Sequence, residues 1–198
     1  MAILSILLKV CAYVKVKQHA KKKIDRSFLL IGLVFGFLFG FSKCVNIIGS
    51  NGLVSGVNGL FQILVGFYIA ALAAVTTFDG SSRGYDMDKP LLFYPATLLG
   101  DDGSEENINR RYLLSLLFGY LACASLFVYF LGLFCQIFSP VIHEFPIAYV
   151  GIMRFLFCIV YCLIVFHIFG STLLGLYFLG YRMNVNNKYS DVPASPKE

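Results

Sequence analysis

The chain has 198 residues, of which 58% are hydrophobic and 14% charged, with a net charge of +5 and a mean hydropathy of +0.76. A soluble domain of this size carries about 25% charged residues, and here the apolar residues fall in long blocks. Composition therefore excludes an ordinary water-facing fold, and the scattered cysteines exclude a disulfide framework.

A membrane-spanning helix needs roughly 20 apolar residues, and four segments meet or approach that length: 27–45, 59–78, 112–138 and 147–180. Lys and Arg set the orientation. Fourteen of the sixteen fall in the N-terminal segment, the central loop and the tail, and only Lys43 and Arg154 fall elsewhere. By the positive-inside rule both termini and the central loop are expected in the cytoplasm. The expected fold is an all-α membrane protein with four transmembrane helices, N-in and C-in. The excess positive charge then reads as topology and contact with anionic lipid rather than as a nucleic-acid footprint.

Residues 1–26 form a basic segment. Ile3, Ile6, Leu7, Val10 and Val14 lie near one helical face, and the charges follow the apolar part. That order argues against a cleaved signal peptide and for an interfacial amphipathic helix. Lys21, Lys22, Lys23 and Arg26 are expected to meet lipid headgroups or a partner, as are Arg110 and Arg111 further on.

Residues 27–78 form the first helix pair. Gly32, Gly36 and Gly40 recur every fourth residue within FLLIGLVFGFLFGF, a glycine-zipper pattern. In lipid, small residues let helix backbones approach closely enough to pack. Gly66, Ala70 and Ala74 repeat the spacing in the second span, so the two stripes are expected to meet in a hairpin. Any contact between copies would then move to the third and fourth spans or to the loop. Between the two spans, Asn51-Gly52 and Asn58-Gly59 are turn signals.

Residues 79–111 form a cytoplasmic loop with four basic and seven acidic residues. Its apolar run LLFYPATLLG followed by DDGS is compatible with a short β-hairpin, and Asn109 suits the N-cap of the third helix. Residues 112–181 form the second helix pair. Arg154 marks an outer interface, and His167 is placed near mid-bilayer. Residues 182–198 are polar with two prolines, and a disordered tail is expected.

The chemistry-bearing residues are sparse. There is no CxxC, HExxH, nucleotide-binding loop or Gly-x-Ser-x-Gly elbow. His19, His143 and His167 fall in different regions, and the acids Asp86, Asp88, Asp101 and Asp102 match no calcium loop. No enzyme activity, cofactor or metal is predicted. His167, Ser125 and Ser171 are the intramembrane polar candidates, and His167 is the default functional one because it is ionisable. Its bland alternative is a neutral imidazole bonded to a carbonyl or to Ser171.

The run INRRYLLSLLFGYL is similar to loop-to-helix junctions in small bacterial membrane proteins, and comparable multi-span subunits serve phage-defence systems as effectors or sensors. The short loops fit a bacterial inner membrane, and in the absence of a catalytic constellation two roles are expected there. One is an oligomeric, channel-like permeability effector. The other is an anchor or sensor that recruits a cytoplasmic protein through its N-terminus and central loop. The expected partners are the lipid bilayer, further copies of the chain and that cytoplasmic protein, with no nucleic acid.

Overall fold

A computed structural model describes residues 13, 16–17, 19–42, 45–49, 51–77, 97–99, 105–142 and 147–190. Among them are four long helices: α1 (His19–Phe41), α2 (Leu53–Thr77), α3 (Arg110–Ile142) and α4 (Ile147–Ser190). Each contains a stretch long and apolar enough to cross a membrane: Lys21–Phe41, Leu53–Thr77, Arg111–Phe138 and Gly151–Gly180. The chain is a multi-pass helical membrane protein. The interfacial helix expected over the first 16 residues lies largely outside the described residues.

The extensive helix interfaces are α1 with α4, α2 with α3, and α3 with α4. The expected hairpin of the first two spans is therefore corrected: α1 packs on α4. Gly32 lies against Cys162, Leu163 and Phe166, Gly36 against Ile159, and Gly40 against Phe155. Positions rise along α1 as they fall along α4, so the two helices run antiparallel. A Cβ placed on Gly36 would stand 2.8 Å from the Ile159 Cα, a backbone atom with little room to give. In the apolar part of α1 only Gly32 and Gly36 are buried, while Leu30, Val34, Leu38 and Phe41 point outward. This one-sided contact is stable in lipid, where exposing a leucine costs nothing and close backbone approach supplies the packing.

The second stripe behaves differently. Gly66 has open space where a Cβ would stand, Ala70 is exposed and Ala74 is half-buried. α2 instead buries Val54, Asn58, Phe61, Tyr68, Ala71 and Val75. It also begins earlier than the turn signals suggest. Asn46 and Ile47 carbonyls accept the Leu53 and Val54 amides at 3.0 Å, so the helix starts there and runs through Asn58-Gly59. Asn58 is buried with its amide against Gly132 of α3, where any Cβ would clash. Tertiary fit has overridden the local turn preference.

α3 starts directly after Asn109, whose carbonyl accepts the Leu113 amide at 3.0 Å. Leu113, Leu114, Leu117, Phe118 and Leu121 on α3 join Tyr68 and Val75 of α2 and Ile168, Leu174 and Phe178 of α4 in one buried cluster. α4 is the longest element at 44 residues, about 66 Å at 1.5 Å per residue, against roughly 30 Å of hydrocarbon. It runs on as helix through Ser190, past the start of the expected disordered tail. Residues 191–198 lie outside the described residues.

Three short strands form one antiparallel sheet in the order β1-β2-β3: β1 (Val16–Lys17), β2 (Thr97–Leu99) and β3 (Glu105–Asn107). Val16 pairs with Leu98, and Leu98 with Glu106. The segment before α1 is thereby tied to the loop before α3.

At the opposite end of the helices, Arg154 Nη2 donates to the Ser42 carbonyl at 2.7 Å and to the Val45 carbonyl at 2.8 Å. These bonds pin the start of the α1–α2 connection to α4. Charge-assisted hydrogen bonds contribute about 1.5–3 kcal/mol. Arg154→Gln is expected to raise amide exchange across residues 42–49 while leaving α3 unchanged, as hydrogen–deuterium exchange would read.

Candidate functional site

The buried polar chemistry among the described residues gathers at the sheet end of α1, where α1, α3 and α4 meet. It starts from Lys21, in the first turn of α1. A cation there opposes the positive end of the helix dipole and is costly to bury without partners. Lys21 is nonetheless only 6% exposed. Its Nζ donates to the Tyr13 carbonyl at 2.6 Å and lies 3.4 Å from the Val16 carbonyl. It also stands 4.0 Å from the centre of the Tyr13 ring, a cation–π contact. The expected headgroup role of Lys21 is thus corrected: its ammonium holds the backbone of the preceding segment. Lys22, Lys23 and Arg26 are exposed, and Arg111 is half-buried.

Asp25 lies one helical turn after Lys21, on the same face. Its Oδ1 stands 3.8 Å from His167 Nδ1 on α4, within ion-pair range and too long for a hydrogen bond. The other ring nitrogen of His167 is 3.1 Å from the Tyr120 hydroxyl on α3. A proton on Nδ1 suits both neighbours, since Nε2 then accepts from the phenol. Tyr120 in turn packs against the Tyr13 ring, with centroids 5.3 Å apart. Burial first, and then the Asp25 carboxylate, push the Tyr13 phenol well above its ordinary pKa, so it remains a neutral donor.

Asp25 Oδ1 is buried in this cluster without a hydrogen-bond partner, and the Tyr13 hydroxyl and Ser171 Oγ, which face each other, form no well-aligned hydrogen bond. Ser171 sits one turn beyond His167 on α4 and is fully buried. Thr172 beside it shares a 2.6 Å hydrogen bond with Tyr68 of α2. Ser125, also fully buried, has no hydrogen-bond partner. The cluster combines a fixed cation, a carboxylate and a titratable imidazole with spare hydrogen-bonding capacity. Such a group can hold a chain segment, exchange a proton, and respond to either.

Of the residues singled out from sequence, His167 and Ser171 come together here, whereas Ser125 lies on α3. The bonded partner of His167 is the Tyr120 hydroxyl, while Ser171 Oγ carries no well-aligned hydrogen bond. Asp25, Tyr13 and Tyr120 were missed. Counting charges closes the first span at Arg26 and assigns Asp25 to water. The antiparallel register instead brings Phe28 against Gly170, so Asp25 still lies alongside the interior of α4, and its carboxylate reaches back to His167. Two signals were available: the four-residue spacing of Lys21 and Asp25, and an apolar stretch in α4 much longer than a bilayer requires. No known protein family, curated protein or solved structure matches this chain.

Proposed function

We propose that the chain is a non-enzymatic sensor or anchor subunit of a bacterial inner membrane, with both termini and the loop between α2 and α3 in the cytoplasm. The loop and the basic N-terminal segment engage a soluble protein, and the Lys21–Asp25–His167 cluster passes that engagement to α1 and α4. The observation that supports this reading is the continuity of the linkage. Lys21 holds the carbonyls of Tyr13 and Val16, Val16 belongs to the strand paired with the loop, and Asp25 on the same helix faces His167. A partner that shifts the sheet therefore pulls on charged groups between two spanning helices. The orientation rests on the bias of Lys and Arg toward one side.

Photo-crosslinking in cells from position 98 or 106 tests this reading. A discrete adduct with a cytoplasmic protein is expected, and adducts only with lipid or with the chain itself would contradict it.

A second reading, an oligomeric channel-like effector, is favoured by the stripe that α2 leaves open. Gly66 and Ala70 face outward with no helix among the described residues against them, and small-residue stripes are what membrane helices use to associate. On that reading Gly66→Leu lowers the oligomeric state in mild detergent, and proteoliposomes leak ions or dye. An unchanged size with tight liposomes would remove it.

A further inference from the structure

The cluster holds one carboxylate between two basic groups that differ in freedom to move. Lys21 is in the first turn of α1, beside exposed Lys22, and its stem needs only a rotamer change to reach water. His167 is fixed on the face of α4 toward α1 and α3. With the imidazole neutral, Asp25 balances Lys21 and the buried site carries no net charge. Charging adds the second proton at Nε2, where the Tyr120 hydroxyl turns from donor to acceptor, and makes cationic the Nδ1 N–H that faces Asp25 Oδ1, an atom that holds no hydrogen bond at 3.8 Å. One carboxylate then serves two cations in a low-dielectric place, and the cation with an exit loses its partner.

We propose that His167 is a proton-binding site whose charging draws the Asp25 carboxylate away from Lys21 and releases the segment carrying Tyr13 and Val16 from α1. The proton comes from interfacial water, since the His167 side chain keeps 26% of its surface, and no covalent bond changes. Among the described residues, the groups that face the imidazole are Lys21 and Asp25 from α1, Tyr120 from α3 and, through the Tyr120 ring, Tyr13. Tyr13 and Tyr120 are phenols and do not gain a proton in this range, which leaves His167 and Asp25 as the groups that can take one, and we assign it to His167. The ligand is the proton itself. The inference rests on the coupling reading above and names the signal for it: acidification on the side of the sheet loosens the N-terminal segment and with it the strand Val16–Lys17.

Hydrogen–deuterium exchange of the full-length protein in lipid nanodiscs tests this. After correction for intrinsic exchange chemistry, protection over residues 13–20 is expected to fall about tenfold between about pH 7.5 and pH 5, the range in which histidine changes charge. In His167→Gln, which can still meet the Tyr120 hydroxyl, the fall is expected to vanish. Release that persists in His167→Gln would overturn the proposal by assigning the titration to Asp25, and protection that does not change with pH in the wild type would overturn it outright. Should His167→Gln fail to fold, the imidazole nitrogen resonances of the wild type decide. A titration coincident with loss of protection supports the site, and an imidazole that keeps one charge state across the transition overturns it. The crosslinks from positions 98 and 106 are read separately, so a partner can be present while the proton site fails, and the reverse.

Discussion

Gly36→Leu is expected to separate α1 from α4 and to cause the largest loss of stability of any substitution in the glycine stripe of α1. A Cβ at this position meets the Ile159 backbone at 2.8 Å, and further side-chain atoms have nowhere to go along a contact built on backbone approach. Overpacking in a formed interface costs about 1–3 kcal/mol. α1 has no other extensive helix contact to fall back on, because Leu30, Leu33, Val34 and Leu38 face outward. Gly36→Ala should produce a smaller loss of the same sign. Gly66→Ala is the control: the space there is open, and replacing glycine within a helix favours the folded state by up to about 1 kcal/mol. Thermal unfolding in detergent should therefore rank the variants Gly66→Ala, wild type, Gly36→Ala and Gly36→Leu from most to least stable. Equal losses at Gly36 and Gly66 would restore the hairpin of α1 and α2 that their matching stripes suggest.

Asp25→Leu is expected to be the most damaging single change in the polar cluster. It removes the carboxylate that faces His167 and whose charge offsets the Lys21 ammonium, and removing one side of a buried charge pair costs about 3–5 kcal/mol. Asp25 keeps 19% of its side-chain surface, so the lower end of that range applies. Lys21→Met with Asp25→Leu should recover much of the loss, because the double change removes both charges and leaves neither buried alone. The recovery is a coupling energy, and a double-mutant cycle on unfolding in lipid measures it. Additive losses would mean that the two side chains do not act on one another.

The four spans were legible in the sequence because each is a long apolar block, and in a bilayer that property alone decides what is helical and spanning. The start of α3 after Asn109 and the place of Arg154 at the helix ends away from the sheet were legible for a related reason, since polar residues at the edge of an apolar block have few places to go. Partner choice was not legible. Gly32-Gly36-Gly40 and Gly66-Ala70-Ala74 share a spacing, and a stripe of small residues says that a helix packs there without saying which. What separates them is the bulk opposite: Cys158, Ile159 and Cys162 on α4 leave room for a backbone. The cluster was half legible. His167 stood out as an ionisable residue in an apolar run, but Asp25 was set aside because charge counting assumes that all helices begin at one depth. α1 is 23 residues and α4 is 44, so their ends cannot coincide, and the shorter helix carries its first charges alongside the interior of the longer one.

The central claim is that the Lys21 cluster ties the sheet to the spanning helices. It is tested most directly by comparing amide exchange at residues 97–99 between the wild type and Lys21→Met in lipid nanodiscs. These residues lie far from position 21 in sequence and are linked to it, among the described residues, through Val16–Lys17 and the carbonyls that Lys21 holds. The account predicts faster exchange at 97–99 in the variant, with α2 and α3 unchanged. Identical exchange in the two proteins would contradict it.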